Sequence, residues 1–261
     1  TPGLEIKEFF VRDGWAIKRW KQAGGWLAVL TGRKGPVVER RAKELGADAL
    51  HVPPSSIDGQ REPLEDIARN LERWVHGVVL RTFAQAKASA IGTAASRLHV
   101  VNALTDEQHP CQALADMLTL REVWGDWPGR TLAYVGDGNN VAASLAHAAV
   151  MLGMHVRVAS PKGYELPKFV AADCQRVARW GGTVSVTTDA IEGVRDADAV
   201  YTDVWASMGQ EEQAEAREEI FAAFQVNEPL MDAAGADALF MHCLPAHRGH
   251  EVTDAVMDSP Q

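Results

Sequence analysis

The sequence is poor in what several large function classes require. Lys and Arg number 26 against 35 Asp and Glu, a formal net charge of -9, so the broad basic surface that nucleic acid or an anionic membrane would need is missing. The three cysteines, Cys111, Cys174 and Cys243, stand far apart and make neither a CxxC pair nor an even set. A disulfide framework is thereby excluded, and a reducing compartment, by default the cytoplasm, is expected. No apolar run approaches roughly eighteen residues, and no charged start leads into an apolar stretch with a small-residue cleavage site; neither a transmembrane helix nor a secretory leader is expected. Thr1 is not an initiator residue, which points to a processed product or a piece of a longer gene. Fixed-period repeats and low-complexity linkers are also absent. What remains is an ordinary globular composition, 46% apolar and 23% charged over 261 residues, enough for one large or two ordinary domains with proper cores.

Strand and helix patterns alternate along the whole chain, as in an α/β protein with parallel sheets. In the first half "WLAVLT", "ADALHV", "GVVLRTF" and "LHVVNAL" read as strands. Between them lie helical patterns in "PVVERRAKELG", with Pro36 in its first turn, in "EPLEDIARNLERW", where Leu64, Ile67, Ala68 and Leu71 share one face, and near Ala84 to Ala95. The segment "HPCQALADMLTLREVWG" reads as a long helix ending at Gly125 and bridging two domains. A second set follows: "TLAYVGD", a helix from Val141 to Leu152, "HVRVASP", a helix from Phe169 to Trp180, "TVSVTTD", "DADAVYTDV" and "ALFMHCLP". The expected architecture is two doubly wound domains, 1–126 and 127–261, each with a parallel sheet and joined by that helix, with ligand at the carboxyl ends of the strands.

Four segments carry chemistry. In "AYVGDGNNVAASLAHA" a strand runs into Gly136, Asp137, Gly138, Asn139 and Asn140 before a helix. GxG after a strand is compatible with a dinucleotide fingerprint, but Val141 stands near the place of the third glycine and "RVASP" ends the next strand without an acid for a ribose. Two adjacent amides there suit an amino acid's α-groups, and a capped tight turn is the plain alternative. "HPCQALAD" sets His109 and Gln112 three apart on one face of a starting helix, donors suited to a polarised carbonyl or phosphoryl oxygen, or simply a capping His with a surface Gln. "YTDVWASMGQEEQ" follows a strand with Asp203, Ser207, Met208 and Gly209 ahead of an acidic helix; Asp203 is placed to pair an ammonium and the loop to close over it, or else forms an ordinary cap. "FMHCLPAHRGHEV" puts Cys243 at another strand end near His242, His247 and His250. Zinc lacks a second nearby cysteine and regular histidine spacing, a nucleophilic Cys lacks an identifiable third group, and a buried strand Cys or a thiolate or backbone carbonyl facing an amine stays open.

Taken together and in this order, "HPCQALAD", "GDGNN", "TDVWASMGQE" and "FMHCLPAHRGHEVTDAVMDSPQ" resemble the aspartate/ornithine carbamoyltransferase family, with agreement nearly continuous from about Arg61 to Gln261. The SMG loop resembles that of the ornithine branch. The resemblance implies attack of the deprotonated δ-amine of L-ornithine on the carbonyl carbon of carbamoyl phosphate, giving L-citrulline and phosphate with no cofactor or metal. By the same resemblance Arg81 of "LRTF", His109 and Gln112 hold and polarise the carbamoyl group, Asn140, Asp203, Ser207 and Met208 hold ornithine, and Cys243 with the Leu244 carbonyl lies against the amine and the carbamoyl nitrogen. Gln60, in "SSIDGQREP", matches a loop lent to the neighbouring subunit's site, so a homotrimer or multiple of trimers is implied.

The first core strand brings a departure. There the family carries a Ser-Thr-Arg-Thr-Arg loop that cradles phosphate at a helix N-terminus, whereas "LAVLTGRKGPVVERR" offers Thr31, Arg33 and Lys34 in a shorter turn, and Lys does not reproduce a bidentate arginine clamp. The family also continues past "MDSPQ" with a strand, a Glu-Asn-Arg segment and a last helix. Of its phosphate-binding arginines only Arg81 is matched, and each lost charge-assisted contact costs roughly 1.5 to 3 kcal/mol. Three accounts fit: an ordinary enzyme represented without those segments, a catalytically impaired paralogue that binds ornithine or regulates, or an enzyme with another substrate in place of carbamoyl phosphate.

Overall fold

The computed structural model describes residues 28–31, 43, 48–51, 62–206 and 213–259. It divides into two compact units, 1–106 and 107–261. In the first, strand β1 (Ala28–Thr31) pairs in parallel with β2 (Asp48–His51), and β3 (Gly77–Arg81) in parallel with β4 (His99–Leu104). Helices α1 (Leu64–Leu71) and α2 (Gln85–Ala94) cross over them. Ile67 and Ala68 are buried on α1, and Leu64 and Leu71 flank the core of Ala68, Val78, Ile91, Ala95 and Leu98, the face that the helical spacing predicts.

The second unit opens with α3 (Pro110–Trp124), a 15-residue helix with Pro110 in its first turn and Gly125, at φ 82°, as its terminator. Five parallel strands follow: β5 (Thr131–Val135), β6 (His155–Ala159), β7 (Thr183–Thr187), β8 (Ala199–Thr202) and β9 (Leu239–His242), in the spatial order β7-β6-β5-β8-β9. The helices between them are α4 (Asn140–Met151), α5 (Lys168–Val177), α6 (Ala190–Val194), α7 (Ala214–Phe221), α8 (Glu228–Asp232) and α9 (Asp254–Met257). Strand β5 is buried at all five positions. Its Leu132 and Tyr134 face a core shared with α3, α4 and α5, while Ala133 and Val135 face a second core with α6, α8 and α9. This period-2 division of one apolar run between two faces is what a doubly wound sheet demands of a central strand.

One helix end differs from the sequence reading. Helix α5 stops at Val177, and Trp180 adopts φ 48° just before Gly181 and Gly182. A Cβ on Gly182 would lie 2.4 Å from the Val150 carbonyl oxygen, so the chain reverses tightly here instead of continuing the helix to Trp180. The short helices α6, α8 and α9 are additions that periodicity does not reveal.

Candidate active site

Strand order reverses at β5: β6 and β7 lie to one side, β8 and β9 to the other. Ligands in such sheets bind outside the carboxyl ends at that reversal, and the second unit's candidate residues hang there. After β5, Gly136 takes φ 138°. A Cβ at Gly138 would lie 2.4 Å from the Leu166 nitrogen, and the Gly138 amide donates to the Tyr164 carbonyl at 2.8 Å. The second glycine of GxG is therefore filled by the protein's own backbone, which removes the close approach that a pyrophosphate would use.

Asn139 caps α4: its Oδ1 accepts from the Val141 and Ala142 amides at 3.0 and 3.1 Å and from the Tyr134 hydroxyl at 3.3 Å. Its Nδ2 then must point away, and it donates to Asp203 Oδ2 at 2.9 Å. The other Asp203 oxygen, Oδ1, accepts from its neighbour's amide on Val204 at 2.7 Å and from Cys243 Sγ at 2.8 Å. Asp203 is 6% exposed, so a carboxylate at the switch point is held by three donors from β5, β8 and β9 loops. Burial first, then the Asp203 charge, pushes the Cys243 thiol far above its ordinary range. The sulfur is thus a thiol donor, not a thiolate. His242 is no base for it: Nδ1 accepts from the Leu244 amide at 2.8 Å and Nε2 faces Glu251 at 3.2 Å. Leu244 itself stands at φ 58° and is half exposed, a conformation that a branched side chain rarely adopts outside constrained sites.

His109 occupies the cap of α3, and its amide donates to Ser144 Oγ at 2.7 Å; that hydroxyl donates to Gln108 Oε1 at 2.7 Å. Ser144, buried on α4, thus ties the start of α3 to the helix that follows the GDGNN turn. One turn along α3, Gln112 Nε2 donates to Asp116 Oδ1 at 2.9 Å, and the buried Tyr201 hydroxyl donates to Asp116 Oδ2 at 2.9 Å. Desolvation raises the Asp116 carboxyl to about 6, against the lowering effect of these two donors. The GDGNN turn has a second anchor. Arg217 of α7, only 4% exposed, pairs with Asp137 and donates to the Trp205 carbonyl, with its guanidinium over the Tyr164 and Phe221 rings.

Arg81 lies in the first unit, exposed at the carboxyl end of β3, where the register with β4 shifts so that Arg81 pairs with Leu104. Beside it Gln85 Oε1 accepts from Thr105 Oγ1 at 2.6 Å and from Asn102 Nδ2 at 3.2 Å, fixing the start of α2 to the end of β4. The other described site residues, His109, Gln112, Asn140, Asp203, Cys243 and Leu244, belong to the second unit. Asn140 opens α4 as its first residue. Thr31 ends β1, while Arg33, Lys34, Gln60, Ser207 and Met208 lie outside the described residues. Sequence reasoning named Asn139, whose cap the structure shows, but missed Tyr134, Asp116, Ser144 and Tyr201. Asn139 was readable as the amide immediately ahead of an apolar helix; the other four left no local signal.

A cavity of about 390 Å³ between Trp124, Arg130, Asp198 and Leu239 lies at the opposite, amino end of the sheet. Asp198 is engaged there by Arg130 Nη1 at 2.6 Å and the Thr131 amide at 2.7 Å, and the cavity lies at the end of the sheet away from Asn139, Asp203 and Cys243. Among the described residues no three His, Cys, Asp or Glu side chains converge as metal ligands; His250 faces Glu218 at 2.6 Å instead. No helix among them is long and apolar enough to cross a membrane.

Comparison with known proteins also divides the chain in two, but after α3 instead of before it. Residues 38–122 match the family model of the aspartate/ornithine carbamoyltransferase carbamoyl-P binding domain, and residues 128–261 match that of the Asp/Orn binding domain. An ornithine carbamoyltransferase of Anoxybacillus flavithermus is 50% identical over 217 residues, covering 82% of this chain and 69% of its own. One of Symbiobacterium thermophilum is 48% identical over 243 residues, covering 92% and 78%. Among solved structures, the ornithine carbamoyltransferase from Pyrococcus furiosus superposes with a TM-score of 0.80 at 40% identity, over 97% of this chain and 87% of its own.

Proposed function

Because the chain belongs to the aspartate/ornithine carbamoyltransferase family, we infer that it transfers the carbamoyl group of carbamoyl phosphate to the δ-amine of L-ornithine. The amine lone pair forms a bond to the carbonyl carbon, the tetrahedral intermediate expels phosphate as the C–O bond breaks, and citrulline results once the amine proton is lost. The observation that carries the reading is the fixed carboxylate of Asp203, capped by Asn139 and the Cys243 thiol at the sheet's switch point, in a chain whose relatives are named for ornithine. The impaired-paralogue alternative has no observation in its favour.

The roles follow the resemblance. Arg81, His109 and Gln112 hold and polarise carbamoyl phosphate: Gln112, whose Nε2 is engaged by Asp116, holds it through the amide oxygen, while the Arg81 and His109 donors aimed at the oxygen that gains charge stabilise the intermediate. Asn140, Asp203, Ser207 and Met208 hold ornithine, and Cys243 with the Leu244 carbonyl orients the amine. Rate comes mainly from alignment of two bound substrates, not from a strong side-chain base. Residues 1–126 form the carbamoyl-phosphate domain and 127–261 the ornithine domain. The protein works in the cytoplasm as a homotrimer or multiple of trimers, with the Gln60 segment completing a neighbour's site.

The test is citrulline formation from ornithine and carbamoyl phosphate, with Arg81→Ala beside the parent chain. Turnover that falls by about a hundredfold or more in the variant, as for a lost charge-assisted phosphate contact, is expected. Ornithine binding without any citrulline would sink the transferase reading and leave a binding protein.

A further inference from the structure

Gln112 offers two different faces to a substrate, depending on which way its amide is turned: an oxygen that accepts or a nitrogen that donates. Nothing in the Gln112 side chain itself selects between them. The selection comes from one turn further along α3. Asp116 is 6% exposed and its two oxygens are committed to two elements, Oδ1 to Gln112 Nε2 at 2.9 Å and Oδ2 to the Tyr201 hydroxyl of β8 at 2.9 Å. Tyr201 is fully buried and stacked on Tyr134 with ring centroids 5.9 Å apart, so the acceptor is fixed in place from the sheet side. An ionised carboxylate accepts hydrogen bonds and donates none, and therefore draws the amide nitrogen toward itself and turns the amide oxygen away.

We propose that Asp116 is a positioning residue for carbamoyl transfer, which locks the Gln112 amide so that its oxygen, not its nitrogen, is presented to the carbamoyl group. The inference rests on the carbamoyltransferase reading above and deepens it: the group that Gln112 recognises is an N–H, the carbamoyl NH2, which separates a carbamoyl donor from an acyl phosphate lacking that nitrogen. When Asp116 takes a proton, the new O–H is a donor, and the amide gains by turning its oxygen inward. Desolvation places that change at about pH 6. The other groups facing Asp116 are Gln112 on its own helix, Tyr201 on β8, Asp203 beyond β8 and Cys243 beyond β9.

Four proteins decide the matter at pH 8, with kcat/KM for carbamoyl phosphate expressed per folded molecule: the parent chain, D116N, Q112A and the double variant, with Y201F as a control for mere packing. D116N keeps the shape but lets the amide settle either way, and a loss of about tenfold is expected, in line with the sensitivity of reaction rates to small misplacements. In the Q112A background the same change should cost less than about threefold, because Asp116 then has nothing to orient. Y201F, which loosens Asp116 from the sheet side but leaves the Gln112 bond in place, should lose clearly less than D116N does. An undiminished D116N loss in the Q112A background overturns the proposal, as does a Y201F loss equal to that of D116N or a D116N rate near that of the parent. Should D116N not fold, the pH profile answers: beyond the steady fall that protonation of the ornithine amine gives every variant, kcat/KM of the parent should break downward near pH 6, and that extra break should vanish in Q112A, whereas an equal break in Q112A overturns the proposal. A parent chain that makes no citrulline overturns the carbamoyltransferase reading and this one together; parental turnover with an unaffected D116N overturns this one alone.

Discussion

At the scale of single residues, the second unit resolves its polar groups by handing each donor to a particular acceptor. Asn139 illustrates how little freedom is left: two helix amides and a tyrosine hydroxyl claim its oxygen, so its nitrogen is delivered to Asp203. Asp116 shows the energetic cost of such a site. Its carboxyl titrates at about 6 in the fold against an ordinary 3.8, so the folded protein binds its proton more tightly than the unfolded chain does. Stability from this group is therefore highest below pH 4 and is lost as pH rises through 6, a penalty on the order of 3 kcal/mol at pH 8. D116N removes that charge, and its melting temperature should exceed the parent's at pH 8 and approach it near pH 4.5. A D116N chain that melts lower than the parent at pH 8 would show that the two charge-assisted bonds outweigh desolvation. Stability gained while rate is lost is the usual trade at a working site. The sequence made Asp203, His109 and Gln112 visible because strand ends and helix starts are readable. It hid Asp116 and Tyr201 because their meeting, 85 residues apart in sequence, depends on packing of α3 against β8, which no local spacing encodes.

Elements were legible wherever periodicity ran for more than about two turns or a whole strand. All nine described strands and the longer described helices fall where the sequence patterns predict, while the helix read in "PVVERRAKELG" lies, Lys43 apart, outside the described residues. The misses are α6, α8 and α9, of four or five residues each, too short for a helical stripe. Each nevertheless begins with a side-chain cap: Asp189 to the Glu192 amide, Asn227 to the Leu230 amide, and Thr253 to the Val256 amide, at 3.0, 3.0 and 3.3 Å. Capping chemistry was thus the available signal, and hydrophobic patterning the wrong instrument. The turn from β5 into α4 carries its own prediction. Since a Cβ at Gly138 would fall 2.4 Å from backbone at Leu166, Gly138→Ala must push two loops apart. A loss of roughly 1 to 3 kcal/mol in urea unfolding is expected, with ornithine binding weakened alongside as Asn139 shifts. An unchanged midpoint would mean that the 164–166 segment yields freely.

For the whole molecule, composition and motif order set the class, an α/β protein of two units, before any coordinate. Contacts part the chain after Asp106, with α3 on the side of the second unit, whereas the sequence reading sets the boundary at Asp126, with that helix as a bridge between the domains. Association is a further whole-molecule matter. A net charge of -9 sets like charges against each other when copies meet, so the proposed trimer requires specific contacts, and light scattering in moderate salt should return the mass of three 28.4 kDa chains or a multiple; a single-chain mass at micromolar concentration would count against it. The second unit's sheet also has two unlike ends. Turns at the carboxyl ends carry Asn139, Asp203 and Cys243, whereas those at the amino ends are given over to packing: a Cβ would lie 3.1 Å from Trp180 at Gly153 ahead of β6 and 2.4 Å from the Val150 carbonyl oxygen at Gly182 ahead of β7. A harmful change at the amino ends should therefore cost the fold and one at the carboxyl ends the chemistry, so a variant's address along a strand would tell a geneticist which of the two had been lost.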